Sequence, residues 1–307
     1  MSSRLSFQTA LLLSVPPLMW AGNAVVGRVL APLCPPIMLN LLRWSFAALV
    51  LLPFAWPALR RGVVCQGLSR AWWPLALMGL LGIGCYNSFQ YLALQTSTPL
   101  NVTLMASSSP VWIMLVGALF VGVRPARMQW LAALVSISGV LVVLTRGDLQ
   151  ELAQLRLVPG DLFMLVAQLC WAGYSWLLMR AELPAELRAD WAGFLLLQLG
   201  FGVMWSGMAA VAEWQLASPS LALDWRLLAG LSYVVLGPAL LAYRCWGLGV
   251  QRAGPTVAAF FSNLTPVFAA ILSATLLGES PRPYHVIAFV LIVLGIVLSM
   301  RRGPGGG

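Results

Sequence analysis

Lysine is missing altogether: the eighteen basic residues of this 307-residue chain are all arginine. Acids are scarce, with nine Asp and Glu in total, and there is a single histidine, His285. Charged residues come to 9%, against roughly 25% in a soluble domain, which excludes an ordinary water-soluble globule. The five cysteines (Cys34, Cys65, Cys85, Cys170, Cys245) are odd in number and scattered. They supply neither a disulfide framework nor a metal-ligand spacing. The acids (Asp148, Glu151, Asp161, Glu182, Glu186, Asp190, Glu213, Asp224 and Glu279) all map to connections or helix ends, and His285 opens the last apolar segment. An intramembrane enzyme needs a nucleophile with a base, or a metal cluster, at one depth. The sequence offers no such set, and neither a cofactor nor a metal is expected.

What the chain does have is apolar length. Sixty per cent of its residues are hydrophobic and the mean hydropathy is +0.87. A helix needs about 20 apolar residues to cross a bilayer. Ten stretches qualify: 7–30, 35–57, 71–94, 99–121, 127–145, 161–180, 190–212, 226–249, 255–277 and 284–300. The connections between them are short, so the expected fold is an all-α membrane protein of ten transmembrane helices with no extramembrane domain. A net charge of +9 would suggest nucleic acid in a soluble protein, but its distribution argues for topology instead. With the amino terminus inside, eleven arginines fall in cytoplasmic segments and four (Arg146, Arg156, Arg226, Arg282) on the other side. That bias sets both termini in the cytoplasm. Arg4 before an apolar run resembles a signal peptide, but the duplication described next needs this segment as its first helix.

Residues 91–146 can be laid without a gap on residues 247–302, a shift of 156, with eleven of 56 positions identical. The matches include Gln95/Gln251, Pro99/Pro255, Pro110/Pro266, Gly122/Gly278, Pro125/Pro281 and Gly139/Gly295. Matching prolines and glycines mean matching backbone breaks. Upstream, Trp20-Ala21-Gly22 reappears as Trp171-Ala172-Gly173. The chain therefore divides into a first repeat (1–146), a connecting loop (147–160), a second repeat (161–302) and a tail (303–307) expected to be disordered. Five helices per repeat is an odd number, so the second repeat should enter the membrane from the opposite face. In such inverted repeats the site lies between the halves, near broken helices.

Several polar side chains sit at spans' mid-depth. Pro16-Pro17 precede Trp20 and Asn23 in the first span, while Asn40 and Arg43 lie about 12 Å into the second at 1.5 Å per residue. An arginine at that depth faces a water-filled cavity or a partner, unless it snorkels. In the third span, Tyr86 and Gln90 share one face and Asn87 and Tyr91 the adjoining one, which must look into the bundle. In the fourth and ninth, Ser107-Ser108-Ser109-Pro110 and Ser262-Asn263-Leu264-Thr265-Pro266 interrupt the helix; each proline frees a carbonyl, of Ala106 or Ser262. Adjacent hydroxyls can satisfy those groups locally, and the breaks can equally form a site; the two readings are compatible. The sixth span carries Gln168, Trp171, Tyr174 and Trp176. Most other tryptophans sit at span ends, as an aromatic belt does, but Trp20 and Trp171 lie mid-span at repeat-related positions. The candidate substrate-binding residues are accordingly Trp20, Asn23, Arg43, Tyr86, Asn87, Gln90, Tyr91, Ser109, Gln168, Trp171, Tyr174 and Asn263, with helix breaks at Pro110 and Pro266. For the polar ones, a helix-joining role stays open beside the binding role.

Two copies, each with a Trp-Ala-Gly start, a Pro-broken fourth helix and a Gly-containing fifth, together with Gly278-Glu279 and Gly295 after Pro266, resemble EamA domains. The resemblance covers nearly the whole chain and points to the drug/metabolite transporter superfamily; within it the sequence is most similar to the YddG-type aromatic amino-acid exporters of bacterial inner membranes. It implies a ten-helix exporter with a central cavity between the halves and alternating access. The expected partners are the lipid bilayer and a small-molecule substrate, an amino acid or related metabolite, with no nucleic acid; a monomer is the expected state. The family's usual Glu after the fourth helix is Val123 here, so any role of that carboxylate does not carry over. With no acid at mid-depth, transport is expected to run down the substrate's own gradient. Other small metabolites or drugs (aliphatic amino acids, nucleosides), a proton-coupled mechanism, and a structural or receptor role are the alternatives.

Overall fold

The computed structural model describes residues 5–30, 32–97, 99–148, 150, 158–217, 221–277 and 283–300. Among these the chain is helical throughout, with no strand. The first half comprises α1 (Phe7–Leu30), α2 (Pro36–Arg60), α3 (Val63–Met78), a π-helical turn (Gly79–Cys85), α4 (Tyr86–Thr96), α5 (Pro99–Ser107), α6 (Ser109–Phe120) and α7 (Arg127–Leu144). The second comprises α8 (Pro159–Arg180), a short α9 (Ala185–Ala189), α10 (Trp191–Ala217), α11 (Trp225–Val234), a second π turn (Val235–Leu241), α12 (Ala242–Ala253), α13 (Pro255–Ser262), α14 (Thr265–Leu277) and α15 (Pro283–Ser299). Seven helical stretches are long and apolar enough to cross a bilayer, and Ser109–Phe120 and Pro283–Ser299 are shorter apolar helices. Phe7, Leu49, Phe54, Leu119, Phe120, Leu134, Met208, Leu228 and Val290 are all exposed. A surface this apolar suits lipid rather than water. The chain is a multi-pass membrane protein.

The third span differs from expectation. It begins earlier, at Val63, bends at Ala71 (φ −138°, ψ 29°), and passes through the π turn before continuing as α4. The two π turns start at Gly79 and Val235, again 156 residues apart, and each spans seven residues. A π turn shifts hydrogen bonding to i→i+5, as in the Tyr86 N–H to Leu81 carbonyl bond, and leaves neighbouring carbonyls to other donors. The proline breaks are present at both expected places, at Ser108 and at Asn263–Leu264. At the second break a hydroxyl closes the gap, Thr265 Oγ1 donating to the freed Ser262 O (2.7 Å); at the first, Ser108 Oγ donates to Met105 O (2.6 Å), one residue before the carbonyl that Pro110 frees. The Gly278-Glu279 segment, most of the 147–160 loop and the tail lie outside the described residues.

Packing between the halves is reciprocal at many points. α7 lies along α15, and α2 along α10. A Cβ on Gly139 would stand 2.8 Å from Ala288 O and 2.9 Å from Ile292; one on Gly295 would stand 3.0 Å from Ala132 O and 2.6 Å from Ser136 Cβ. Each contact is the other displaced by 156 residues. Glycine lets the two backbones approach to that distance, the usual device of close-packed membrane helices. Carboxylates cap both ends of the α2–α10 pair. Glu213 on α10 accepts from the Ile37 and Met38 amides (3.1 and 2.9 Å), while Asp190 accepts from the Gly193 amide (2.9 Å) and pairs with Arg61 (3.1 Å). Negative groups at helix N-termini satisfy orphan N–H groups and the dipole together.

The α7–α15 contact makes a packing prediction. Gly295→Val forces a side chain into occupied space and should cost about 1–3 kcal/mol of stability. Gly200, where an added Cβ meets nothing within 4 Å, serves as control: Gly200→Ala should leave stability unchanged or slightly raised. Thermal unfolding of both variants in detergent checks this; equal melting curves would remove the close-packing account.

Candidate functional site

The π turn gathers the polar groups around one point. Because its carbonyls are displaced from regular helical donors, side chains take them. Asn40 Nδ2 donates to Ile83 O (3.1 Å) and Ser206 Oγ (3.0 Å). The Tyr243 hydroxyl donates to Gly82 O, and Asn87 Nδ2 to Tyr243 Oη (3.2 Å). Asn87 Oδ1 accepts from Arg43 Nη1 (3.0 Å), and so does the Tyr91 hydroxyl oxygen (3.3 Å). Arg43 is 1% exposed, its Nε has no partner, and its guanidinium lies 4.7 Å from the Trp44 ring centroid. No carboxylate pairs with it among the described residues. Snorkelling is excluded: this arginine is held inside the bundle by hydrogen bonds to neutral groups and a cation–π contact.

Beside this network the aromatic residues converge on Trp171, which is 3% exposed. Its ring meets Trp20 at 5.4 Å, Tyr86 at 4.8 Å, Trp246 at 5.1 Å, Tyr174 at 5.3 Å and Tyr243 at 5.7 Å between centroids. Tyr174 fits here because Gly82 lacks a side chain: a Cβ there would stand 2.5 Å from the Tyr174 ring. Above this cluster lies a cavity of about 650 Å³, the size of a small-molecule site. Its walls come from α1, α4, α5 and α8, from Tyr243, and from the α13–α14 break through Ser262, Thr265 and Pro266. Among the described residues no charged side chain lines it. Ser109 Oγ, Asn23 Oδ1, Gln168 Oε1 and Ser262 Oγ belong to lining residues and are buried without a hydrogen-bond partner. These atoms are themselves shut away from the cavity surface, so they are orphaned within the bundle rather than presented to the cavity. At the mouth, burial first and then the Glu213 carboxylate push the Cys34 thiol up to about 12, so it is an unreactive wall.

Of the twelve candidate residues, Trp20, Asn23, Tyr86, Asn87, Gln90, Tyr91, Ser109, Gln168 and Trp171 line this cavity. Arg43, Tyr174 and Asn263 do not. Arg43 stands one layer behind Asn87 and Tyr91, and Tyr174 packs beneath Trp171. Asn263 is fully buried and turned toward α7, donating to Ser136 Oγ (2.8 Å). Pro266 reaches the wall and Pro110 is buried behind it. Sequence reasoning missed Tyr243, Thr103, Ser107 and Thr265, all on the wall. Tyr243 carried a usable signal, since it is Asn87 displaced by 156.

Among the described acids, Glu213, Asp190, Asp161 and Asp224 stand at or near helix ends, as the sequence placed them, and serve as caps. Asp161 is 3% exposed near the cavity rim, accepting from the Val158 amide (2.9 Å) and from the hydroxyl of Ser97, a lining residue. Asp224 accepts from the Arg226 amide (3.3 Å).

An all-helical membrane protein with a neutral, aromatic-floored cavity between two similar halves has the architecture of a small-molecule carrier. The chain belongs to the EamA-like transporter family, whose model matches residues 8–145 and 158–301, and it is a membrane transporter of that type. It is 25% identical over 295 residues to an uncharacterized transporter of Archaeoglobus fulgidus, covering 96% of this chain and 98% of the relative. It is 28% identical over 271 residues to the aromatic amino acid exporter YddG of Ancylobacter novellus, covering 86% and 88%. A crystal structure of a protein 24% identical shares the fold, with a TM-score of 0.71 over 95% of this chain and 97% of that one.

Trp171 contacts five aromatic rings, so Trp171→Ala should cost about 3–5 kcal/mol of stability, the range for removing a large buried aromatic. Trp20→Ala, whose ring is half open to the cavity, should lose clearly less. Denaturant or thermal unfolding in detergent ranks the two; the reverse order would mean Trp171 is not the packing centre.

Proposed function

We propose that the chain exports amino acids, aromatic ones first, across a bacterial inner membrane by alternating access between two inverted five-helix halves. The cavity carries this reading: an aromatic floor around Trp171 with amides and hydroxyls above it and no charge on the wall. Flat amphipathic solutes are held by ring contacts and a few directed hydrogen bonds. The likeness to an aromatic amino acid exporter agrees with it.

Ten spans in two inverted halves account for the reciprocal contacts. Trp20 meets its mate Trp171, Asn87 donates to its mate Tyr243, and α7–α15 contacts are exchanged by the same shift. Residues that touch their own repeat mates lie on a two-fold axis, and here that axis runs through the cavity floor. Alternating access draws support from where the reciprocity fails. α8 packs closely on α12 and α13, whereas among the described residues their counterparts, α1 with α4 and α5, do not pack closely. The cavity opens through that gap. The closed seam is aromatic, with Trp171 on Tyr174, Tyr243 and Trp246; the mates of these three, around Trp20, are Asn23, Asn87 and Gln90. Exchanging the seams would close Trp20 over the amides and open the other side.

With cavity acids absent and the nearby ones committed to capping, transport is facilitative, and zwitterions are preferred over cations because the charge behind the wall is Arg43. Purified protein in liposomes should support counterflow of labelled Phe and Trp above Leu and Thr. Trp20→Ala should weaken aromatic substrates about fivefold or more, a ring contact of ~1 kcal/mol, and aliphatic ones less. Equal loss for all substrates would return Trp20 to packing, and preference for Leu, Thr or nucleosides would favour the other-metabolite reading. In the same liposomes an imposed pH gradient should drive no accumulation; accumulation abolished by a protonophore would overturn the facilitative reading.

Both termini are cytoplasmic in this reading, which puts the cavity mouth on the outer side. Pro125→Cys and Pro281→Cys, each in a cysteine-free background, should label with impermeant maleimide from opposite sides, position 281 from outside. Labelling from one side would sink both the orientation and the inverted repeat.

A further inference from the structure

The α4 wall of the cavity is polarised by two charges that never reach its surface. At one end, Arg43 Nη1 donates to the Tyr91 hydroxyl oxygen (3.3 Å). A guanidinium has no acceptor, so the phenol must be the acceptor in that pair, and its own proton is left for another partner. None of the described residues takes that proton, and Tyr91 lines the cavity. The same guanidinium nitrogen fixes Asn87, whose Oδ1 faces the cation and whose Nδ2 faces Tyr243. At the other end, Ser97 donates its proton to Asp161 Oδ1. The Ser97 oxygen therefore presents lone pairs, backed by a carboxylate. Tyr91 and Ser97 are six residues apart along α4, about 9 Å at 1.5 Å per residue.

We infer that Tyr91 is the carboxylate subsite of the cavity, a charge-assisted donor relayed from Arg43, and that the ligand's ammonium lies toward Ser97. Resting on the proposed amino-acid transport, this assigns the substrate class within it: zwitterions with a free α-carboxylate. Hydrogen bonds to charged groups are stronger than neutral ones, and polarisation along a chain of donors adds to that. Arg43 acts through Tyr91 and Asn87 and is a positioning residue; Tyr91 touches the ligand. An arginine exposed directly on the wall would bind the anion so tightly that release would suffer. Interposing a phenol gives selectivity for negative charge with a bond weak enough to break in each cycle.

The test is competition for labelled L-phenylalanine on purified full-length protein in detergent, using unlabelled L-phenylalanine, phenylalaninamide (no carboxylate), phenethylamine (amine alone) and 3-phenylpropionate (carboxylate alone). Wild type should prefer phenylalanine over the amide by about tenfold or more, the worth of a charge-assisted hydrogen bond. Tyr91→Phe keeps the ring and removes the hydroxyl, so phenylalanine affinity should fall to that of the amide while amide affinity stays put. Arg43→Gln should do the same; should that variant fail to fold, Tyr91→Phe decides alone. A merely structural role would lower both ligands together and would overturn the assignment. Equal competition by phenylalanine and its amide in wild type would overturn it too, with aromatic recognition left standing. No binding of phenylalanine at all would overturn the substrate reading itself.

Discussion

A bilayer offers no water to an unbonded carbonyl, and the π turn at Gly79–Cys85 creates such carbonyls in mid-membrane. Each left unsatisfied would cost several kcal/mol, so the neighbouring helices must supply donors. Asn40 on α2 goes to Ile83, and Tyr243 on α12 goes to Gly82. These bonds tie two helices, one from each half, to one point on the third span. Tyr243, once tethered, is within ring contact of Trp171 and Trp44. The aromatic floor and the polar wall are thus two consequences of one backbone irregularity. The second π turn carries Pro238, which removes a backbone donor outright, so the two halves reach the same irregularity by different routes: glycine freedom in one and a missing N–H in the other.

Charge is used sparingly and for position. Glu213, Asp190, Asp161 and Asp224 each satisfy a helix N-terminus, and none of the described acids lines the cavity wall. Arg43 is the exception, a cation inside the bundle with no acid paired to it among the described residues. Bonds to charged groups are worth about 1.5–3 kcal/mol each and a desolvated cation–π contact about 2, which together offset much of the burial cost. Pairing with a carboxylate would offset more. The cation is instead bonded to Asn87 and Tyr91, both of which line the cavity.

Much of this was legible in the sequence, and the illegible part has a physical pattern. The helical class, the proline breaks and the repeat were read from apolar run length and from matched prolines and glycines, signals local to the chain. The π turns were not, because Gly79-Leu80-Leu81-Gly82 and Val235-Leu236-Gly237-Pro238 fit regular helix, kink or bulge equally; donors from distant helices select the last. Depth could be counted along a span, but facing could not. Asn263 and Ser262 are adjacent, and rotation by 100° turns one to Ser136 and the other to the cavity. Arg43 and Tyr174, both among the candidates, do not line the cavity, since neighbouring side chains, Tyr91 and Trp171, stand in front of them.

The departures from symmetry are more informative about mechanism than the symmetry. Duplicated halves with identical seams would open equally well to either side, and neither state would be preferred. Here the mates of Tyr174, Tyr243 and Trp246 are Asn23, Asn87 and Gln90, so one seam closes as ring on ring and the other could close only as ring on amide. Aromatic pairs gain about 0.5–1.5 kcal/mol beyond area burial, whereas amides closed against rings must also find hydrogen-bond partners. In the alternating-access reading proposed above, the empty protein would therefore rest with the aromatic seam shut and the amides open. A bound solute changes that balance by occupying the amides' hydrogen-bonding capacity as it fills the space above Trp171. On that proposal the same three differences between the halves that create the polar wall would also set the resting state, so that recognition and gating would be one physical property of the cavity.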